Sequence, residues 1–108
     1  EPEDLLVVVD DVNIGLGTIR LREKGSSGGQ KGLASIIDAL GLQDFARLRI
    51  GIGPKPDADD LSEFVLASFT PKERDILDEA LVKAAVVVEG WIGGGFEGAQ
   101  RTLSKLSS

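Results

Sequence analysis

An aspartate at the end of an apolar run is the first residue of this chain whose position suggests chemistry. Asp10 follows the β-branched run of residues 5–9, and open α/β sheets place their ligands at the carboxyl ends of buried strands. A carboxylate in that position can orient a histidine or hold a cation. The alternative is that Asp10 forms a turn or caps a helix, and the spacing alone leaves both interpretations open.

A glycine pair before a helical pattern is the second feature. Gly28 and Gly29 let the backbone approach an anion closely and direct free N–H groups at it. Their spacing fits neither the G-x-x-x-x-G-K-[ST] phosphate loop nor the dinucleotide fingerprint G-x-G-x-x-G. Such turns are common, so the indication of an anion site depends on the basic residues around it, which are Arg20, Arg22, Lys24 and Lys31.

Two basic strands are the third feature. Residues 17–23 and 45–53 alternate apolar and basic side chains, which is typical of half-solvated strands. We expect Arg47 and Arg49 to face outward, and Arg20 with Arg49 to form a pair of cations suited to phosphate. Solvated charges on ordinary strands are the alternative interpretation.

Composition limits the function classes. The 108 residues suit one small domain, and 42% hydrophobic content can fill a core. Histidine and cysteine are absent, which removes the commonest neutral-pH base and all thiolate metal sites. The net charge is −6, yet residues 20–56 hold seven bases and three acids. A basic centre between acidic flanks can bind phosphate locally, because salt screens charges beyond about 8–10 Å.

Local patterns predict the order of the elements. We expect a strand buried on both faces at residues 5–9, a loop at 12–16, a strand at 17–23 and a helix at 30–40 capped by Gly41. A strand at 45–53 would complete a β-α-β unit with the strand at 17–23. An acidic loop at 54–60 and a helix starting at Thr70, with Glu73 in a capping box, follow. Glycines 93–95 should interrupt this last pattern before a final helix at 96–106.

Taken together, four segments resemble bacterial-type peptidyl-tRNA hydrolases far more specifically than any one of them does. They are Val8-Val9-Asp10-Asp11-Val12-Asn13, Gly17-Thr18-Ile19-Arg20-Leu21-Arg22, Lys24-Gly25-Ser26-Ser27-Gly28-Gly29-Gln30-Lys31-Gly32-Leu33 and Arg47-Leu48-Arg49-Ile50-Gly51-Ile52-Gly53. The resemblance covers nearly the whole chain but only about the C-terminal half of such an enzyme. The chain also starts at Glu1 and contains no methionine, so we expect it to be part of a longer protein.

The resemblance implies an α/β fold: a mixed, largely parallel twisted sheet flanked by helices, here as a partial single domain over residues 1–108. It implies hydrolysis of the ester between a peptide and the 3′ end of tRNA, in which an aspartate orients a histidine that activates water. Asp10 matches that aspartate, and the histidine is missing here. We therefore expect this chain alone to be inactive.

The resemblance also implies which residues bind the substrate. We expect no cofactor and no metal. Arg20 and Arg49 match positions where the family holds tRNA phosphate. The turn after Gly28 and Gly29 usually reads His-Asn in the best-known members, whereas here it reads Gln30-Lys31, which replaces a neutral amide with a cation. The substrate and tRNA-binding residues expected from the resemblance are Arg20, Gly28, Gly29, Gln30, Lys31 and Arg49.

Two rival functions remain beside the hydrolase: a non-catalytic RNA-binding module of the same fold, like plastid relatives that assist splicing, and an inactive structural fragment. We expect a cytoplasmic protein, because no apolar run is long enough to cross a membrane. We also expect the strand at residues 5–9 to have an unpaired edge that favours self-association. The main geometric expectation is that Asp10, the two arginines and the Gly28–Gly29 turn share one crevice.

Overall fold

Three strands and two helices carry the fold in the computed structural model, which describes residues 1–53 and 69–107. A short 3-10 turn over Pro2–Asp4 precedes them. The elements are β1 (Leu6–Gly15), β2 (Ile19–Arg22), α1 (Lys31–Leu40), β3 (Ala46–Gly53) and α2 (Pro71–Ser107). The acidic loop expected at residues 54–60 lies outside the described residues.

β3 is the central strand of the sheet, with β1 on one side and β2 on the other. It runs parallel to β1 and antiparallel to β2. The mixed sheet with helices packed on it confirms the α/β fold class. The expected β-α-β unit is wrong, however, because such a unit requires parallel strands and β2 and β3 are antiparallel. The parallel partner of β3 is β1, which comes earlier in the chain.

β1 is twice as long as the apolar run that predicts it. It pairs with β3 from Leu6 to Asp11 and resumes at Gly15 after an irregularity. The prediction that the strand ends at Asp10, with a loop at 12–16, is therefore wrong. The reason lies on the partner strand, because a Cβ at Gly51 would collide with the Gly15 carbonyl oxygen and with Ile14. The bare backbone of β3 thus accommodates the irregular end of β1.

The core lies between the sheet and α2, and local signals predict α2 well. Leu21, Leu48 and Ile50 of the sheet pack against buried residues of α2, which are Leu77, Ala80, Ala84, Val87 and Ala99. The sequence from Leu77 to Trp91 carries seven apolar residues at helical spacing, and six of them are buried in this cluster or packed against it, while Leu81 is exposed.

The ends of the helices also follow the sequence. The Thr70 backbone N–H donates to Glu73 Oε1 (2.8 Å), and the Glu73 N–H donates to Thr70 Oγ1 (3.1 Å), which confirms the capping box. α2 breaks at Gly94 and Gly95, where Gly95 is left-handed (φ 64°). Gly41, also left-handed at φ 71°, ends α1. The predicted cap at Gly41 and the predicted interruption at glycines 93–95 are both confirmed.

β1 is less buried than predicted. Within residues 1–53 and 69–107 it pairs only with β3, and α2 packs over β2 and β3. Val8 is consequently 46% exposed, so the prediction of a strand buried on both faces is wrong here. None of the described helices is long and apolar enough to span a bilayer.

Candidate nucleic-acid interface

Four arginines share one face of the sheet. The antiparallel register of β2 and β3 pairs Arg20 with Arg49 and Arg22 with Arg47, while Leu21 pairs with Leu48 on the core face. Side chains alternate along a strand, so all four arginines lie opposite the core. Arg20 and Arg22 are exposed. The predicted neighbourhood of Arg20 and Arg49 is confirmed by this register.

Arg47 does not face solvent, and the prediction that it would is wrong. It is 1% exposed. Its Nε donates to the Phe45 carbonyl oxygen (3.0 Å), Nη1 to that of Ser26 (3.0 Å) and Nη2 to that of Gln43 (2.7 Å). The guanidinium also lies 4.6 Å from the centre of the Phe45 ring. Burial, and then the charge of Arg49, lower the pKa of Arg47.

Arg49 is largely covered as well, with a side chain 13% exposed. Nη1 lies 3.3 Å from Oδ2 of Asp11, and Nη2 donates to the Ser26 carbonyl oxygen at 3.1 Å. Nε is buried and has no partner among the described residues. The expectation of a fully outward cation is wrong, because the chain after β2 covers the arginine face. Nothing in the local sequence around Asp11 indicates a contact with Arg49, because only the strand register brings the two residues together.

The glycine turn rests directly on these arginines. Gly28 (φ 60°) and Gly29 (φ 86°) both have left-handed backbones, which glycine adopts without strain. A Cβ at Gly28 would lie 2.6 Å from Nη1 of Arg49. Gly28 is therefore required both for its backbone angle and for the space that the guanidinium occupies. Gly28 and Gly29 are exposed, as a surface for an approaching ligand requires.

Gln30 connects this turn to β1. As the N-cap of α1, its Oε1 accepts from the Leu33 N–H at 2.5 Å, and its Nε2 donates to the Asp10 carbonyl oxygen at 2.9 Å. Both ends of the amide are thus already engaged within the chain. Lys31, the next residue, is exposed at the first position of α1.

Asp10 is near the turn through its backbone, but its side chain is on the other face. It pairs with Ile50, a core-facing residue, whereas its neighbour Asp11 lies on the face of Arg49. The carboxylate of Asp10 is exposed and accepts no hydrogen bond from the described part of the chain. The expected single crevice shared by Asp10 and both arginines is therefore wrong.

A separate concave region lies between the start of the chain, the segment before β3 and the break in α2. This cavity of about 700 Å³ is lined in part by Glu3, Glu23, Asp44, Glu97 and Trp91, and neither Asp10 nor Arg49 lines it. Four carboxylates and one cation, that of Lys24, line it, and carboxylates repel phosphate, so this cavity does not suit an RNA backbone. Trp91 packs against the core, although its buried Nε1 finds no acceptor among residues 1–53 and 69–107.

Comparison with known proteins gives one consistent result. A family model described as peptidyl-tRNA hydrolase matches residues 1–108. The peptidyl-tRNA hydrolase of Chlorobaculum tepidum is 50% identical over 99 residues, which cover 92% of this chain and 53% of the relative. That of Pseudothermotoga lettingae is 44% identical over 105 residues, covering 97% and 54%.

Solved structures agree with the sequence relatives. A peptidyl-tRNA hydrolase crystallised with N-propanol matches with a TM-score of 0.78 at 32% identity, covering 94% of this chain and 52% of that one. The peptidyl-tRNA hydrolase of Acinetobacter baumannii matches with a TM-score of 0.68 at 31% identity, over the same shares. The chain spans about half the length of the curated relatives it matches.

The buried and the exposed arginine of one cross-strand pair should respond differently to the same change. Arg47→Met leaves the carbonyl oxygens that Arg47 serves without donors, so we expect the free energy of unfolding to fall by about 3 kcal/mol. Arg22→Met, at the paired exposed position, should change it by less than about 0.5 kcal/mol. Urea denaturation of both variants measures this, and equal losses would contradict the structural role of Arg47.

Proposed function

The chain belongs to the peptidyl-tRNA hydrolase family, and we propose that it forms the C-terminal, RNA-binding half of such a hydrolase. The reaction proposed is hydrolysis of the ester between a peptide and the 3′ end of tRNA. The proposed partner is the acceptor end of peptidyl-tRNA, and the proposed compartment is the cytoplasm. Relatives of about twice this length support the view that further residues complete the enzyme.

The observation that carries the RNA-binding proposal is the arginine face. Four guanidinium groups lie on neighbouring positions of two strands, and Asp11 is the carboxylate that the described residues pair with them. The local field is therefore positive in a chain whose net charge is −6. Arg20 and Arg49 hold phosphate in this proposal, and the exposed backbone of Gly28 and Gly29 adds N–H donors.

Catalysis requires a group that these residues do not contain. In the proposed mechanism Asp10 orients a histidine, and the histidine takes a proton from water as the water attacks the ester carbonyl. This chain has no histidine, and the Asp10 carboxylate is exposed and available to such a partner. Gln30 holds the backbone of Asp10 in place, and Lys31 is the exposed side chain beside it that would meet the substrate.

A non-catalytic RNA-binding module is the second candidate function. Its support is that the arginine face needs no histidine, and that Lys31 places a cation where the family usually has a neutral amide. The residues that precede Glu1 would distinguish the two candidates, because a histidine in a glycine-asparagine-proline context there favours the enzyme. An inactive structural fragment, the third alternative, predicts no RNA binding at all.

The first prediction concerns hydrolysis. We expect the purified 108-residue chain to release peptide from a model peptidyl-tRNA no faster than buffer does, because its orienting carboxylate has no base to orient. A relative of full length serves as the positive control under the same conditions. Turnover well above the buffer rate would contradict the proposal that the base lies outside this chain.

The second prediction concerns RNA binding. The affinity of the chain for an acceptor-end RNA should fall as salt rises, and the logarithmic salt slope should shrink by about one unit for each lost phosphate contact. Arg20→Ala should therefore remove about one unit, and Arg20→Ala with Arg49→Ala about two. The matched control, Arg74→Ala with Lys83→Ala on exposed or half-exposed α2 positions, should keep the slope. Equal slopes in both double variants would count against the arginine face.

The third prediction concerns the edge of β1. An unpaired strand edge offers backbone groups to a second copy, so we expect a concentration-dependent increase in mass by light scattering. Val8→Lys places a charge on this edge and should suppress association. Val82→Lys, on an exposed position of α2 (66% exposed), is the control and should not. A mass that stays monomeric across the concentration range would rule out this edge as a self-association site.

A further inference from the structure

The buried carboxylate beside the arginine face has no role in the function described above. We propose that Asp11 is a positioning residue whose negative charge limits how strongly Arg49 binds phosphate, and that it thereby sets the affinity of the arginine face for RNA. This inference rests on the proposed RNA-binding function. It assigns control of RNA affinity to a residue that acts through Arg49 and not by touching the substrate.

Asp11 is fixed in place before any ligand arrives. It is 2% exposed, and its Oδ1 accepts the backbone N–H of Asn13 at 2.8 Å. Its Oδ2 is the atom that faces Nη1 of Arg49. A carboxylate held by a separate hydrogen bond keeps its position when the guanidinium turns towards another anion, so it competes with that anion continuously.

Arg49 retains capacity for a second anion. The 3.3 Å separation from Asp11 is longer than the 2.7–2.9 Å common for charge-assisted hydrogen bonds. Its Nε has no partner within the described residues, and Nη2 reaches only a neutral carbonyl oxygen, that of Ser26. The guanidinium is thus incompletely neutralised, and a phosphate that gains access to it would improve its hydrogen bonding.

Burial strengthens the competition between Asp11 and a phosphate for the guanidinium of Arg49. The side chains of Asp11 and Arg49 are 1% and 13% exposed, so water screens their attraction less than it screens an exposed pair. Phosphate binding at Arg49 must weaken this attraction, and the loss subtracts from the RNA affinity. Removing the charge of Asp11 while keeping its shape should therefore strengthen RNA binding, although the fold itself becomes less stable.

The test compares two variants that change the net charge equally. Asp11→Asn removes the buried charge, and Asp44→Asn removes an exposed one just before β3. Binding of a fluorescent acceptor-end RNA is titrated over a range of salt concentrations, and circular dichroism verifies that each variant is folded. We expect Asp11→Asn to bind about fivefold more tightly at low salt, with a salt slope steeper by about one unit. Asp44→Asn should stay within about twofold of the unmodified chain.

Each outcome decides between the inference and its alternatives. A purely structural role for Asp11 would lower the melting temperature and leave the salt slope of Asp11→Asn equal to that of Asp44→Asn, which overturns this inference alone. Absence of salt-dependent RNA binding in the unmodified chain overturns the proposed function as well.

A measurement on the unmodified chain covers the case in which Asp11→Asn fails to fold. The carboxyl ¹³C resonance of Asp11 should shift when RNA is added, because Arg49 then divides its hydrogen bonds between two anions. An unchanged resonance at saturating RNA overturns the inference.

Discussion

Two arginines of β3 donate to the same acceptor, the carbonyl oxygen of Ser26. A buried guanidinium is costly unless its donors are satisfied. The turn after β2 supplies one acceptor that both arginines use, and the segment before β3 supplies the other two acceptors of Arg47, the carbonyl oxygens of Gln43 and Phe45. The turn, for its part, is held against the sheet by these donors, and the missing side chain of Gly28 leaves the space that Arg49 occupies. The position of the glycine turn and the burial of the arginines therefore depend on each other.

This dependence divides the positive charge of the sheet between two purposes. Arg47 is used for structure, since three carbonyl oxygens and an aromatic ring surround it. Arg20 and Arg22 remain exposed, and Arg49 is intermediate, because it holds the turn and keeps donors to spare. A basic strand thus contributes less charge to a ligand than its sequence suggests, and the share available is decided by which loop covers it.

The sequence predicted the local features of the fold well and the long-range ones less well. The capping box at Thr70, the stop at Gly41 and the break at Gly94–Gly95 each depend on neighbouring residues, and all are confirmed. Strand order and direction depend on contacts distant in sequence, which is why the β-α-β expectation failed. The candidate site failed in the same way: Asp10 and Asp11 are adjacent in sequence, yet the register places them on opposite faces.

The last turns of the chain approach the rest of α2 unusually closely. A Cβ at Gly98 would meet the carbonyl oxygen of Gly90, and a Cβ at Gly90 would meet Thr102. At Gly98 only a hydrogen atom fits against the backbone of Gly90, so the spacing of the two helical segments depends on a direct backbone contact there. The segment after the break in α2 carries Ala99 into the core. A methyl group added at Gly98 would therefore push this whole segment away from the core, because the backbone that it meets cannot repack as a side chain can.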